Sequence, residues 1–328
     1  MNPEKLNQLF LKFQNLKIAV LGDFALDFYY DLQKDSSELS LETQEIVYFG
    51  RKPRISLGAA GNLSKNLRNL GVKVDCFGIK GDDIFGRELD FQLEKIGLGN
   101  FLKKEALIDT TVYTKPLIKE KESNRIDFGT NNFQLKEFKK RILDDLISRQ
   151  EDYDFILLNE QINEPFLGLE EIIYLEKNLN PKKVMGDFRK NGKWVNQFSL
   201  KLNLEEFNRL KNNHLSDENI SKIKIGLEHF IEGRDKFLLL TLGKRGIIFK
   251  NSQEIYHEEG IKTEKEIDIV GAGDMVFASF AASTAAGSNP QDALVLANMA
   301  AFISIHQINS TGNVFPKDII SLNNNLNL

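Results

Sequence analysis

Lys17-Ile-Ala-Val-Leu21 is a short apolar run that opens on a charge and closes on Gly22-Asp23, and it decides the fold class because it recurs. Runs of the same kind stand at Val72-Lys-Val-Asp-Cys-Phe77, Asp154-Phe-Ile-Leu-Leu158, Lys183-Val-Met185 and Lys236-Phe-Leu-Leu-Leu-Thr241. Each is short enough to be a strand buried on both faces. Between them lie segments with helical spacing: Ala60 to Leu70, Arg87 to Ile96, Gln134 to Ser148, Glu164 to Asn178, Glu205 to Asn213 and Ser216 to Glu232. This alternation predicts an α/β fold, a doubly wound and mostly parallel sheet with helices on both faces.

Two regions break the pattern. Glu45-Ile-Val-Tyr-Phe49, and Thr110-Thr-Val-Tyr-Thr-Lys-Pro-Leu-Ile118 followed by Asn124-Arg-Ile-Asp-Phe128, have strand-like pieces without a helix between them and polar residues among the apolar ones. They predict an antiparallel sheet projecting from the main body, built from segments near 28–56 and 109–128. No Pro-, Gly- or Ser-rich linker and no repeat divides the chain, so residues 1–328 read as a single domain with this appendage. Leu6, Leu9, Phe10 and Phe13 recur at helical spacing and predict a packing helix rather than a signal peptide. The Asn-rich end, Ser321 to Leu328, reads as a frayed tail.

Composition removes several functions. With 43 Lys plus Arg against 47 Asp plus Glu, the net charge is -4, which offers no electrostatic footprint for a nucleic acid or an anionic membrane. The longest mostly apolar stretch, Met275 to Gly287, falls short of the roughly 18 residues a membrane span needs. Cys76 is the only cysteine, so no intrachain disulfide forms, and scattered histidines (His214, His229, His257, His306) exclude the usual zinc clusters. A protein of the reducing cytoplasm is the expectation.

The most informative segment for chemistry is Glu266-Ile-Asp-Ile-Val-Gly-Ala-Gly-Asp274, which leads into the small-residue helical stretch. Gly271 and Gly273 permit a tight turn, and the helix that follows points its free N–H groups into it, strengthened by the helix dipole. Asp274 in that turn has two readings. It caps the helix, or it takes a proton from a hydroxyl attacking a phosphate held by the turn.

Neighbouring motifs bear on the choice. Asp268-Ile-Val-Gly-Ala-Gly-Asp274 resembles the C-terminal D-T-T-G-A-G-D signature of the PfkB, or ribokinase-like, carbohydrate kinases. Gly58-Ala-Ala-Gly-Asn62, Leu70-Gly71 and Gly81-Asp-Asp-Ile-Phe-Gly86 are similar to the family's N-terminal signature. Gly22-Asp-Phe-Ala-Leu-Asp27, Asn203-Leu-Glu-Glu206 in the N-x-x-E position and Thr241-Leu-Gly-Lys-Arg-Gly246 follow in family order, over residues 17 to 312.

The resemblance implies an ATP-dependent sugar kinase with Asp274 as base and the N–H groups of Gly271, Ala272 and Gly273 as the anion hole. It implies that Asn203 and Glu206 organise Mg²⁺ through water, and that Thr241, Gly243, Gly246 and Asn298 border the nucleotide. Asp27, Gly58 and Asn62 would bind the sugar. Read alone, Asp27 is equally a surface-loop residue, Asn62 a helix cap, Asn203 and Glu206 a helix start, and Asn298 part of a packing helix. The appendage would be a lid over the sugar, through which some members of the family dimerise. A monovalent cation near Asp268 and Val270 activates some members, and the residues here leave it open.

Within the family the chain is most similar to the heptose-7-phosphate kinases of ADP-heptose synthesis. Gln14 to Asp23, Thr110-Thr111, Arg125-Ile-Asp127 and Asn203-Leu-Glu-Glu-Phe207 carry that likeness, and the length suits a free-standing kinase. The departures concern the phosphates and the sugar. Ile269 and Val270 replace the hydroxyl residues before Gly271, and Met275 stands where Thr is common. Asn159-Glu-Gln-Ile-Asn-Glu164 lacks the expected Lys, and Arg189 stands where Lys is expected, with Lys190 and Lys193 nearby. Arg189 can bind a sugar phosphate bidentately and compensate. These departures keep two alternatives open: a family kinase for fructose, ribose, a keto-deoxy acid or a nucleoside, and a kinase-like protein that binds sugar or nucleotide without turnover.

Overall fold

A computed structural model describes residues 1–119, 121–129, 135–217, 219–228, 236–265, 267–307 and 313–326, with the side chains of 34–37 outside the description. Glu266, Gln134, the end of the expected 216–232 helix and residue 312 therefore lie outside the described residues.

The main sheet has nine strands: β1 (Lys17–Gly22), β4 (Lys73–Gly81), β5 (Gly99–Glu105), β8 (Phe155–Glu160), β9 (Val184–Phe188), β10 (Ser199–Asn203), β11 (Leu238–Thr241), β12 (Ile247–Lys250) and β13 (Ile255–Glu258). Their order is β13-β12-β11-β10-β9-β8-β1-β4-β5. Pairs from β11 to β5 are parallel, and β12 and β13 add antiparallel strands at one edge. A second sheet holds β2 (Phe24–Leu39), β3 (Ile46–Ala59), β6 (Thr111–Ile118) and β7 (Lys121–Glu122), in the order β3-β2-β6-β7.

The helices are α1 (Pro3–Phe13), α2 (Ala60–Asn69), α3 (Ile84–Lys95), α4 (Lys136–Ser148), α5 (Leu169–Asn178), α6 (Leu204–Lys211), α7 (Ile220–Glu228), α8 (Ala272–Ala285), α9 (Pro290–Ile305) and α10 (Pro316–Asn325). Side-chain alternation in the strands divides the core in two. Ile18, Val20, Phe155, Leu157 and Leu239 pack with α1, α2, α3, α8, α9 and α10. Ala19, Leu21, Ile156, Leu158, Leu238 and Leu240 pack with α4 to α7 on the other face. Because both faces are covered, the central strands are continuously apolar, the feature that made them readable. The fold is the doubly wound, mostly parallel α/β architecture expected.

Three expectations are corrected. The projecting sheet is not wholly antiparallel: β2 pairs with β3 antiparallel but with β6 parallel. β2 leaves the body directly after β1, and β6 follows β5, so both run outward in one direction. The helix expected from Glu164 begins at Leu169, because Asp23 Oδ1 holds the Phe166 N–H and Lys139 Nζ donates to the Phe166 carbonyl, keeping 161–168 a loop. The supposed frayed tail is largely α10, whose Ile319 and Asn323 are buried and whose Asn323 Oδ1 accepts from the Met1 amino group. Among the described residues no helix is long and apolar enough to cross a membrane.

Candidate active site

The C-terminal ends of the parallel strands converge under the start of α8. Asn159 in β8, Asp187 in β9 and Lys201 in β10 are register partners and therefore share one face of the sheet. Lys201 Nζ and Asp187 Oδ2 form a buried ion pair at 2.8 Å, with side chains 7% and 3% exposed. A Cβ placed on Gly273 would stand 3.3 Å from Lys201 Nζ, so that ammonium lies directly beneath the first turn of α8.

Gly271 caps α8 at φ 80°, a conformation that favours glycine, and so aims the helix's first amides back across the turn. Asp268 Oδ1 accepts from the Val270 N–H at 3.0 Å, and the Ala272 N–H donates to the Ile269 carbonyl at 3.3 Å. Ile269 and Val270, the two departures from the signature, are 72% and 53% exposed, so their apolar side chains do not fill the turn. Met275 is core.

Asp274 follows within the first turn of the helix. Burial, then the charge of Asp187 and more weakly that of Asp27, push its carboxyl up to about 7 against the pull of Lys201 and Arg189. A carboxyl with that value is matched to proton exchange near neutrality. Gln161 Nε2 reaches Asp274 Oδ1 at 3.4 Å.

Asp27 lies in β2, 4% exposed, and Lys115 of β6 holds its Oδ1 at 3.2 Å while donating to Tyr29 Oη at 3.1 Å. Burial keeps the Asp27 carboxyl above its ordinary value although Lys115, Lys65 and Arg125 oppose it. A Cβ on Gly58 would stand 3.2 Å from Asp27 Oδ1, which explains a glycine there. Ala59 next to it adopts φ 50°, ψ -127°, a strained backbone that persists because the Ala60 N–H is fixed to the Asp23 carbonyl at 2.8 Å. Asn62 is buried in the first turn of α2, and its Oδ1 has no hydrogen-bond partner. An orphaned buried acceptor of this kind is rare without a ligand or water to satisfy it.

Arg189 is exposed at the end of β9, and its charge lowers the pKa of Asp274, of Glu206 and of Tyr113 in the second sheet, so it joins both halves of the site. Lys190 is turned away, its Nζ on the Asn163 carbonyl at 2.9 Å, and Lys193 lies over the Trp194 ring.

Asn203 and Glu206 form a reciprocal capping box on α6, each accepting the other's backbone N–H at 2.8 Å. Burial and Asp187 raise the Glu206 carboxyl's pKa while Lys201 opposes them. Thr241 is the register partner of Asn203, and Gly243 adopts φ 54° with open space around its Cβ direction. Gly246 has a packing reason of its own: a Cβ there would stand 2.0 Å from the Glu258 carbonyl oxygen. Asn298 Nδ2 donates to the Glu259 carbonyl at 2.7 Å and ties α9 to the chain after β13. The structure thus brings Asp274, Gly271 to Gly273, Arg189 and Asp27 into one electrostatic neighbourhood, and puts Gly246 and Asn298 at the β12–β13 edge. Among the described residues no group of three His, Cys, Asp or Glu side chains could hold a metal ion alone.

Residues 194–317 match the family model described as pfkB family carbohydrate kinase. The bifunctional protein HldE of Helicobacter acinonychis (strain Sheeba) is 28% identical over 308 residues, 90% of this chain and 64% of the relative. HldE of Haemophilus influenzae (strain PittGG) is 26% identical over 92% of this chain and 62% of the relative. The C-terminal part of the chain is thus similar to carbohydrate kinases of the pfkB type. The chain spans less than two thirds of the length of these curated relatives. The chain's fold is that of Escherichia coli phosphofructokinase-2 in complex with potassium, at TM-score 0.75 and 13% identity over 95% of this chain and 100% of that one. Arabidopsis thaliana ribokinase complexed with ribose and ATP gives TM-score 0.69 and 17% identity, over 94% of this chain and 98% of the other.

Sequence reading missed five residues of this candidate site. Lys201 was hidden as a charge inside a strand, and its position two residues before Asn203 was the available signal. Asp23, directly after β1, accepts backbone N–H groups of Gln161, Ile162 and Phe166 at 2.8, 3.2 and 2.7 Å and staples that loop. Lys115, Lys65 and Gln161 had no sequence signal, because each depends on packing between distant segments.

Proposed function

We propose that this protein transfers the γ-phosphoryl group of ATP to a hydroxyl of a sugar phosphate, with a heptose 7-phosphate favoured by the likeness to the HldE proteins. The observation that carries the reading is Asp274: a carboxyl near neutrality at a glycine-capped helix start, within reach of the charges of the buried Lys201 and Asp27. The sugar hydroxyl gives its proton to Asp274 as its oxygen bonds the phosphorus and the bond to the ADP oxygen breaks. The amides of Gly271 and Gly273 and the Lys201 ammonium face the charge that develops, whereas the Ala272 N–H is held by the Ile269 carbonyl. Asp27 and Asn62 Oδ1 accept sugar hydroxyls, and Arg189 takes the substrate's phosphate. Asn203 and Glu206 are oxygen donors suited to Mg²⁺, whose chemistry would be to neutralise the nucleotide phosphates. Thr241 and Gly243 border the nucleotide.

Coupled ADP release with Mg-ATP over a panel of heptose, fructose and ribose phosphates and keto-deoxy acids tests this, native chain against Asp274→Asn. Sugar-dependent release that falls by about 10²–10⁴-fold in the variant is expected. Sugar or ATP binding without release from the native chain would instead support a binding protein.

A further inference from the structure

Gln161 is tied to two carboxylates at once. Its backbone N–H donates to Asp23 Oδ2 at 2.8 Å, and Asp23, 3% exposed, is itself fixed by the N–H groups of Ile162 and Phe166. Its side-chain Nε2 lies 3.4 Å from Asp274 Oδ1. That contact is long, yet contacts of a base commonly tighten when substrate is bound. The amide is neutral, so it favours the ionised carboxylate as a donor without adding a charge.

We propose that Gln161 is the positioning residue of the base: its amide holds Asp274 Oδ1, anchored from behind by Asp23, and leaves Oδ2 to accept the proton of the sugar hydroxyl. This rests on the reading of Asp274 as base. A carboxylate free to rotate would present either oxygen in a range of directions, and small misplacements of a reacting group cost rate steeply. The backbone bond to Asp23 holds the loop whatever side chain follows, so the two tasks of Gln161 are separable by mutation.

Asp187 and Asp27 also face Asp274 and raise its pKa, while Lys201, Arg189 and Lys65 face it as cations. Gln161 acts on top of these charges, and removing its amide leaves them in place. Gln161→Met keeps the length without the donor, and Gln161→Glu keeps the shape but replaces the donor by a charge.

The experiment measures kcat, both KM values and the pH profile of kcat/KM in the native chain and both variants. It also follows the carboxyl carbon of Asp274 through a pH titration by NMR, assigned by its absence in Asp274→Asn. In Gln161→Met, kcat should fall about 10- to 100-fold with the KM for ATP unchanged. The Asp274 midpoint should rise by roughly half to one pH unit, and further in Gln161→Glu. Native kcat together with a native midpoint in Gln161→Met overturns the proposal. Turnover that survives in Asp274→Asn overturns the base reading instead, and the titration still decides whether Gln161 acts on that carboxyl.

Discussion

Glu160 has one oxygen that accepts the N–H groups of Lys190 and Asn191 at 3.2 and 2.8 Å and one that is buried with no partner. Burial pushes its carboxyl up from 4.5 to about 7, with Asp23 adding to the shift against the two N–H bonds. The folded state therefore prefers the proton: the stability this group contributes is complete below about 4.5 and is lost as pH rises through 7. Glu160→Gln keeps an acceptor for the two N–H groups and removes the charge. Urea unfolding should find the variant close to the native chain at pH 5 and more stable at pH 8, by on the order of 3 kcal/mol. Equal stabilities at both pH values would show that the carboxylate bears no such cost. At this scale sequence revealed the residues whose backbone is unusual, Gly271 above all, because glycine and a following helix are local signals. It could not reveal Glu160, Asp23 or Lys201, whose partners in loops and neighbouring strands are distant in sequence.

At the scale of elements, the strands found from sequence are those buried on both faces, and the ones missed carry polar residues for a reason the structure supplies. β10 reads Ser199-Leu-Lys-Leu-Asn203 because Lys201 points to Asp187 beneath α8, and β5 is an edge strand with exposed lysines. The tail misread as frayed shows the converse, since Asn is a poor helix former until Asn323 is buried against the amino terminus. The α6 start poses a functional question, because the capping box and a magnesium role draw on the same Asn203 and Glu206. Asn203→Ser separates them: serine caps a helix about as well as asparagine, so stability should change by less than about 0.5 kcal/mol. If the Asn203 amide also orders Mg²⁺, half-maximal ADP release should need several-fold more Mg²⁺ in the variant. Unchanged Mg²⁺ dependence would leave Asn203 a cap only.

For the whole molecule, the proposed function assigns the two substrates to different sheets. Asn203 and Thr241, proposed for the nucleotide side, end strands of the main sheet and Gly243 follows one, whereas Asp27, Tyr29 and Lys115 belong to the projecting sheet and meet there through the parallel β2–β6 register. That parallel pairing places Tyr29 opposite Lys115, a neighbour relation that an antiparallel reading of the segments could not produce. Lys115 is 12% exposed in its side chain, and against the cost of burial, Asp27 and Tyr29 hold its ammonium above its ordinary pKa. Lys115→Met would leave Asp27 buried with one counter-charge fewer, shifting its carboxyl further towards the protonated form, which accepts fewer hydroxyls. The KM for the sugar should then rise about 10-fold or more, the loss of one hydrogen bond to a charged group, while the KM for ATP stays within about twofold. Initial rates with both substrates varied measure this directly. Equal changes in the two constants would mean that the sheets do not act separately, and an unchanged sugar KM would remove Asp27 from the sugar site.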